Sequence, residues 1–388
     1  MRRLERRAIV RDGLDHAQYA RQPAACGGAL RQARRLGPVW PAREALREVE
    51  AMSHARKTGA ARLVGMLCAL LLAAAPARAQ TLEWTLATEY PATSMAGEGL
   101  QHLAEALGQT SGGRIAAKPS FDAESGFRSA GMPAAVDGGF VTVGDAINGA
   151  LGGFHLVFVL PSLPFLVTST DDALRLYRAA RPTYEKVFAE NGQRLLYATP
   201  WPPSGIWAKK PIVQPDDLRG LAIRVSDEVG VKVLRAAGAT PERLFFAEAV
   251  SRVKDGSIAA VLSAGDSEAG RRLWEYLPHF TEVTYAVPIS FATLNLGTWK
   301  RLPGDLQRAV SEAAAATEER QWRAVRTRIE ENYAGLRANG VTVATTISPA
   351  LRRTFTKAAR SAEVAWQNLV GPAGQHILAR YRRPAGKS

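Results

Sequence analysis

The side chains that could do chemistry in this chain are few and far apart. After residue 79 the histidines are His102, His155, His279 and His376. None has the H-x-x-x-H or H-E-x-x-H spacing that puts two metal ligands on one helix face. No G-x-x-x-x-G-K-[ST] or G-x-G-x-x-G loop is present to cradle phosphates. The nearest approach to a nucleophile elbow, Val261-Leu262-Ser263-Ala264-Gly265, lacks the first glycine. The acidic pairs Glu318-Glu319 and Glu330-Glu331 fall on a long helical pattern and read as solvated surface. No catalytic residue, metal site or cofactor is signalled, and that silence favours binding over catalysis. One side chain stands out: Arg224 closes the apolar run Leu221-Ala222-Ile223-Arg224-Val225. A guanidinium is a planar fork that matches a carboxylate, and charge-assisted bonds of this kind contribute about 1.5–3 kcal/mol. On residues alone, an arginine ending a strand in water or paired with Asp227 is the competing reading.

The elements that must position these groups alternate in type. Residues 81–88 alternate polar and apolar like a strand, and 94–108 carry Met95, Leu100, Leu103 and Leu107 at helical spacing. Strand patterns recur at 114–118, 140–143, 195–199, 221–225 and 258–262. Helical patterns occupy 228–237 and 247–254, with a helix pair over 171–189 broken at Pro182. This alternation predicts an α/β architecture with helices over mostly parallel sheets. One helix differs from the rest. From Asp305 to Asn339 no proline interrupts the pattern, with Asp305 as the N-cap candidate and Asn339-Gly340 as the stop. Some 34 residues at 1.5 Å each reach about 50 Å, enough to run across two domains; the competing reading is two helices joined by a turn near Thr317.

A family resemblance runs through residues 81–365. Lys210-Pro211-Ile212, followed by Pro215-Asp216-Asp217-Leu218-Arg219-Gly220-Leu221-Ala222-Ile223-Arg224-Val225, resembles the K-P-I…P-D-L-K-G-L-K-I-R-V segment of TRAP-transporter solute receptors, the periplasmic components of tripartite ATP-independent periplasmic transporters. Further matches keep the order: Gly112-Gly113-Arg114-Ile115, Pro161 to Leu166, Ala236 to Pro241, Phe246-Ala247-Glu248, Lys254 to Val261 and Leu273 to Leu277. The resemblance implies a two-lobed periplasmic binding protein fold with the long helix spanning both lobes. It implies that Arg224 lies in the interlobe cleft and pairs with the carboxylate of a small organic acid. It also implies membrane subunits of a TRAP transporter as partners, no cofactor and no reaction.

Two departures shape the expected ligand. Ser204 stands where many sialic-acid and dicarboxylate receptors carry a second arginine, with Trp201 and Trp207 on either side, and Ser263 replaces a common pocket asparagine. One cationic anchor beside tryptophans points to a monocarboxylate with an apolar or ring-shaped body, although either tryptophan could be core packing against Pro202-Pro203. From the first lobe, Glu89, Tyr90, Phe121 and Asp145 follow strands, where α/β clefts collect ligand contacts. Asp145 or Glu89 could accept a hydrogen bond from a ligand hydroxyl or N–H, or cap the next helix instead. The family's chain path predicts lobe 1 from 80–203 and 290–320, and lobe 2 from 204–289 and 321–388.

Composition fits an exported globular protein. The 388 residues are 46% hydrophobic and 22% charged, which excludes collagenous, disordered and multi-span membrane classes. The formal charge of +14 is concentrated at the front: residues 1–79 hold 15 Lys and Arg against 6 Asp and Glu, leaving 35 against 30 behind them. A nucleic-acid partner would need a basic stripe, and Arg320, Arg323, Arg326 and Arg328 are instead interleaved with glutamates. Residues 52–79 read as a signal peptide: Arg56, Lys57 and Arg62, then an apolar Leu63–Ala75, then Pro76 and Ala77-Arg78-Ala79. The mature chain would start at Gln80 in the periplasm, without Cys26 or Cys68, after a residue 1–51 extension read as unstructured or as a mis-called start. Rival readings are the same fold feeding a sensor, or an exported enzyme on a two-lobed scaffold.

Overall fold

The computed structural model describes residues 81–244, 246–264 and 273–383. The expected signal peptide and the residue 1–51 extension lie outside the described residues. Two sheets organise the chain. Sheet A has the order β2-β1-β3-β10-β4, built from β1 (Leu82–Ala87), β2 (Ile115–Ser120), β3 (Val143–Ile147), β4 (Gln193–Pro200) and β10 (Ile289–Asn295). Sheet B has the order β11-β9-β5-β8-β6-β7. Its strands are β5 (Ser204–Ala208), β6 (Ala222–Val225), β7 (Thr240–Arg243), β8 (Ala260–Ala264), β9 (His279–Thr281) and β11 (Thr342–Ala344). Helices cover both sheets: α1 (Met95–Thr110), α2 (Met132–Asp137), α3 (Thr170–Glu190), α4 (Glu228–Ala236), α5 (Phe246–Lys254), α6 (Leu296–Arg301), α7 (Gly304–Ala338), α8 (Pro349–Val370) and α9 (Pro372–Tyr381).

Strand direction decides where the two sheets meet. In sheet A only β10 runs against its neighbours, and in sheet B only β5 does. Both are strands that have just crossed from the other sheet. β4 leaves sheet A at its carboxyl edge and enters β5 after Trp201-Pro202-Pro203; β9 leaves sheet B at its carboxyl edge and returns through residues 282–288 into β10. Four residue steps span at most about 14 Å. The carboxyl edges of the two sheets are therefore held facing one another at the crossings. The crossings run side by side as a short ladder, Trp201 N–H to Pro288 O at 2.9 Å, Ser204 N–H to Ala286 O at 3.0 Å and Tyr285 N–H to Ser204 O at 3.0 Å.

Each lobe has its own core. On one face of sheet A, Trp84, Leu86, Leu100, Leu103 and Val310 pack under α1 and α7. On the other, Phe158 has no exposed surface and meets Tyr184 at 5.3 Å, Phe188 at 4.7 Å and Phe291 at 5.2 Å. Burying such a ring stabilises by about 1.5–3 kcal/mol. That core explains why α3 runs unbroken through Pro182, against the expected helix pair. Leu176, Tyr177, Ala180, Tyr184, Val187 and Phe188 are buried in one stripe on both sides of the proline. Their packing outweighs the roughly 3 kcal/mol that an interior proline costs. Strand β3 begins at Val143, later than the expected 140–143, because Phe140 follows the turn at Gly138-Gly139 and is 73% exposed.

The long helix is continuous, as its pattern predicts. Leu306, Val310 and Ala313 pack on lobe 1 and Tyr333 and Leu336 on lobe 2. Its N-cap is Pro303, so Asp305 sits in the first turn, where its carboxylate meets Arg114 at 2.6 Å. The lobe boundaries differ from expectation at the carboxyl end. Trp322 stacks on Tyr177 at 5.6 Å in the lobe 1 core. Helix α8 starts in lobe 2 with Leu351 and Phe355, and Trp366 near its end reaches lobe 1, donating from Nε1 to Leu156 O at 2.8 Å. Helix α9 then packs on α3, with Tyr381 OH donating to Leu166 O and Asp172 Oδ1. The chain end thus returns to lobe 1, because the apolar stripe of α8 continues past the crossing and α9 buries Ile377 and Leu378 against α3 and the end of α8.

Candidate functional site

The lobe 2 wall starts from strand alternation in β6. Ile223 and Val225 turn into the core beneath α4 and α8, so Arg224 turns to the opposite face. Arg224 is only 7% exposed. Its Nε donates to Leu244 O at 2.8 Å, just past the end of β7, and its Nη1 to Leu262 O at 3.5 Å, in the middle of β8. Burial lowers the affinity of the guanidinium for its proton, while the charge of Asp227 works the other way. Asp227 itself caps α4, accepting from Gly230 N–H at 2.8 Å. The reading of Arg224 as a strand end in water is excluded by that burial.

Register sorts the other lobe 2 candidates. Gly205 lies opposite Ser263, Trp207 opposite Val261 and Arg224 beside Val261, so Ser263, Trp207 and Arg224 share one face. Ser204 pairs with Ala264 on the other face, away from Arg224, and its backbone is part of the crossing ladder. Trp207 is corrected to a core residue. It has no exposed surface, packs on Phe280 at 5.1 Å and donates from Nε1 to Ala264 O at 3.2 Å. The neighbouring Gly205 is required by the same core, since a Cβ there would lie 2.4 Å from the Phe280 ring.

The lobe 1 wall gathers most of the remaining candidates. Tyr90, on the turn after β1, meets Trp201 with ring centroids 4.7 Å apart, and Trp201 Nε1 donates to Ser290 Oγ at 2.9 Å. Below them, Thr88 Oγ1 donates to Asp145 Oδ1 at 3.1 Å. Asp145 lies within β3, not after it, and is 1% exposed. Burial pushes its carboxyl up to about 7; the charge of Glu89 adds to the rise, and the hydroxyls of Thr88 and Ser290 oppose it. Burial likewise pushes the Tyr90 phenol up, helped by Glu89 and Asp145. Glu89 is already engaged: its Oε1 accepts from Ser129 N–H at 3.1 Å and its Oε2 faces Arg128 at 3.5 Å. Phe121 is half-buried at the end of β2. The next two residues, Asp122 and Ala123, take left-handed φ of 53° and 59°, and their N–H groups donate to Tyr90 O and Thr88 O. Two non-glycine residues in that region cost of order 1 kcal/mol each, and they tie the exits of β1 and β2 together.

The structure therefore brings Glu89, Tyr90, Asp145, Trp201 and Phe121 to one sheet edge, with Thr88 and Ser290 supporting them. Thr88 was not singled out from sequence; its only signal is a polar residue at the point where an alternating strand ends. A separate groove of about 690 Å³ between α3 and α7 contains none of these residues. Its charges are mostly paired, Arg181 with Glu185 and Glu318, Arg323 with Glu319 and Arg326 with Asp171. Among the described residues, no cluster of three or more His, Cys, Asp and Glu is placed to hold a metal ion, and no helix is long and apolar enough to cross a membrane.

Comparison with known proteins identifies the family and the fold. The family model for DctP, bacterial extracellular solute-binding protein, family 7, matches residues 86–367. The chain is 24% identical over 249 residues to the ectoine-binding periplasmic protein TeaA of Halomonas elongata, covering 63% of this chain and 72% of that protein. It is also 24% identical to a solute-binding protein of Sulfitobacter sp. (strain NAS-14.1), a match spanning 40% of this chain and only 48% of that protein. A Bordetella pertussis extracytoplasmic solute receptor binding pyroglutamic acid superposes with a TM-score of 0.68 at 26% identity, covering 78% of this chain and 100% of that one. A second B. pertussis receptor binding pyroglutamic acid gives a TM-score of 0.68 at 28% identity, covering 77% and 99%.

Proposed function

Because the chain belongs to family 7 of the bacterial extracellular solute-binding proteins, we propose that it is the periplasmic receptor of a TRAP transporter, and that it takes a small monocarboxylic acid between its lobes. The observation that carries the reading is Arg224, a buried cation at the carboxyl edge of sheet B, where the crossings hold the two sheet edges face to face. A carboxylate at that edge meets the guanidinium as a charge-assisted pair of about 1.5–3 kcal/mol. A dissociation constant near 1 µM needs about 8 kcal/mol, so the arginine orients the acid and packing supplies the remainder. Trp201 and Tyr90 offer that packing from lobe 1, with Ser263 on the face of Arg224 in lobe 2. Phe121 and Glu89 frame the lobe 1 edge.

Pyroglutamic acid and ectoine, bound by the relatives above, each carry one carboxyl group on a small ring, in keeping with one cationic anchor. A ligand touching both edges favours the closed arrangement of the lobes, and closure about the Trp201–Pro203 and 282–288 crossings is the event that membrane subunits would read. Export through residues 52–79 belongs to the same reading. The test is a thermal-shift screen of the chain from Gln80 onward against mono- and dicarboxylic acids, in which binding raises stability as RT ln(1 + [L]/Kd). Arg224→Ala is expected to abolish the response to the best acid while leaving a cooperative unfolding transition. An unchanged response in that variant, or succinate outranking every monocarboxylate, would overturn the assignment.

A further inference from the structure

Seven buried side-chain polar atoms find no hydrogen-bond partner among the described residues, and three of them share one place: Asp145 Oδ2, Tyr197 OH and Thr199 Oγ1. The register makes them neighbours. Ala292 of β10 lies opposite both Asp145 and Tyr197, and Ser290 lies opposite Thr199. Alternation turns all three toward α1 and α7, and a Cβ on Gly99 of α1 would lie 3.1 Å from Tyr197 OH and 3.2 Å from Thr199 Oγ1. Of the three, the carboxylate oxygen is the most demanding. A hydroxyl can rotate toward another acceptor, whereas an ionised carboxylate oxygen accepts only; the Ser290 hydroxyl lies near Asp145 and favours its charge without closing a bond to Oδ2, which still needs a donor.

Asp145 also has a counterpart. Three charged side chains among the described residues are buried: Asp145, Asp172 and Arg224. Asp172 is held by Arg175, Thr168 and Tyr381. The other two stand at the facing carboxyl edges, a cation in lobe 2 and an anion in lobe 1. Beside Asp145 on its edge are Tyr90, Trp201 and Ser290, of which Trp201 is partly exposed and anchored through Ser290 Oγ. Tyr90 stands on a turn outside the β1 ladder, where its phenol senses the charge of Asp145.

We propose that Asp145 reads the second functional group of the ligand: its Oδ2 accepts from an N–H or O–H carried beyond the carboxylate, with the ligand displacing the Tyr90 ring. Donor-bearing monocarboxylic acids, such as ring N–H acids and hydroxy acids, are then selected over bare ones. This inference rests on the receptor reading above and adds a requirement to it. Oδ1 is already taken by Thr88, so the two oxygens have separate roles, one holding the wall together and one facing the ligand.

The test compares acids that differ only in the donor, pyrrole-2-carboxylate against furan-2-carboxylate and lactate against propanoate, by calorimetric titration at pH 8, where the Asp145 carboxyl is ionised. The wild type is expected to bind the donor acid of a pair about tenfold or more tightly than its partner, the discrimination of one bond to a charged acceptor. In Asp145→Asn the amide oxygen takes the Thr88 hydroxyl and the amide NH₂ faces the ligand. The advantage should then shrink to about twofold or reverse, with the bare acid binding as before. Equal wild-type affinity within both pairs overturns the inference and leaves the receptor reading standing. Retained discrimination in Asp145→Asn, or equal weakening of both acids, also overturns it, the latter marking a purely structural residue. If the wild type takes neither acid of either pair, the donor requirement falls; Arg224→Ala, scored on the best acid of the wider screen, judges the receptor reading separately.

Discussion

Replacing Asp145 with asparagine should stabilise the free protein at alkaline pH, and by an amount that depends on pH in a defined direction. The carboxyl is pushed from 3.8 up to about 7, chiefly by burial. The folded state therefore holds a proton between these values that the unfolded chain releases, so stability declines as pH rises through that window. At about 1.4 kcal/mol for each tenfold, the full interval corresponds to about 4 kcal/mol as a ceiling, complete above pH 7. Well below 3.8 both states are protonated and the contribution vanishes. Asparagine keeps the acceptor for Thr88 and carries no charge. Asp145→Asn should then come close to the wild type near pH 4 and exceed it by a few kcal/mol at pH 8, about 5 °C or more in Tm for a chain of this size. Glu89, Tyr90 and Tyr197 are the other titratable groups whose charges act on or near this site, and all three remain in the variant. Differential scanning calorimetry of both proteins from pH 4 to 8, without ligand, measures the difference directly. A difference that stays flat with pH, or a variant less stable at pH 8, would refute the assignment of Asp145 as a buried, under-satisfied carboxylate.

Two further outcomes test the frame that carries the site. Gly205→Ala drives a methyl to 2.4 Å from the Phe280 ring and 2.6 Å from Thr281 O, so denaturant unfolding should show a loss of at least about 1–3 kcal/mol; a neutral result would mean that β5 and β9 pack differently. Tyr381→Phe removes the donor that α9 gives to Asp172 and Leu166, and a loss of about 1–2 kcal/mol is expected, with hydrogen exchange rising first in α9; unchanged exchange there would argue against a carboxyl-terminal tether on lobe 1.

Much of this protein could be read before any coordinates. The alternating strand at 81–88, the helix after it and the unbroken long helix each follow from a local period, and local periods survive folding unchanged. The P-D-D-L-R-G-L-A-I-R-V run placed Arg224 on a strand, and alternation alone predicts that its side chain departs from the core filled by Ile223 and Val225. The misjudged features have a common cause. Trp207 and Ser204 lie on a strand that also alternates, yet nothing in five residues says which face of β5 meets Phe280 and which meets the crossing. Pro182 breaks a helix in isolation and does not break one whose stripe is covered by Phe158 and Phe291. The family's chain path puts the carboxyl end on lobe 2, whereas Trp366 and Ile377 go where an uncovered apolar surface exists.

Most element types and the family are legible in short stretches, because helix and strand periods and a run of motifs are local properties. Only the tertiary structure decided that Asp145 stands buried with one oxygen unmatched beside Tyr90, Trp201 and Ser290. Those four residues come from β3, from β10 and from the segments that follow β1 and β4, up to 200 positions apart. They meet because two antiparallel strands carry the chain across and back, and the desolvation that makes the carboxylate unusual arises only when the helices close over sheet A.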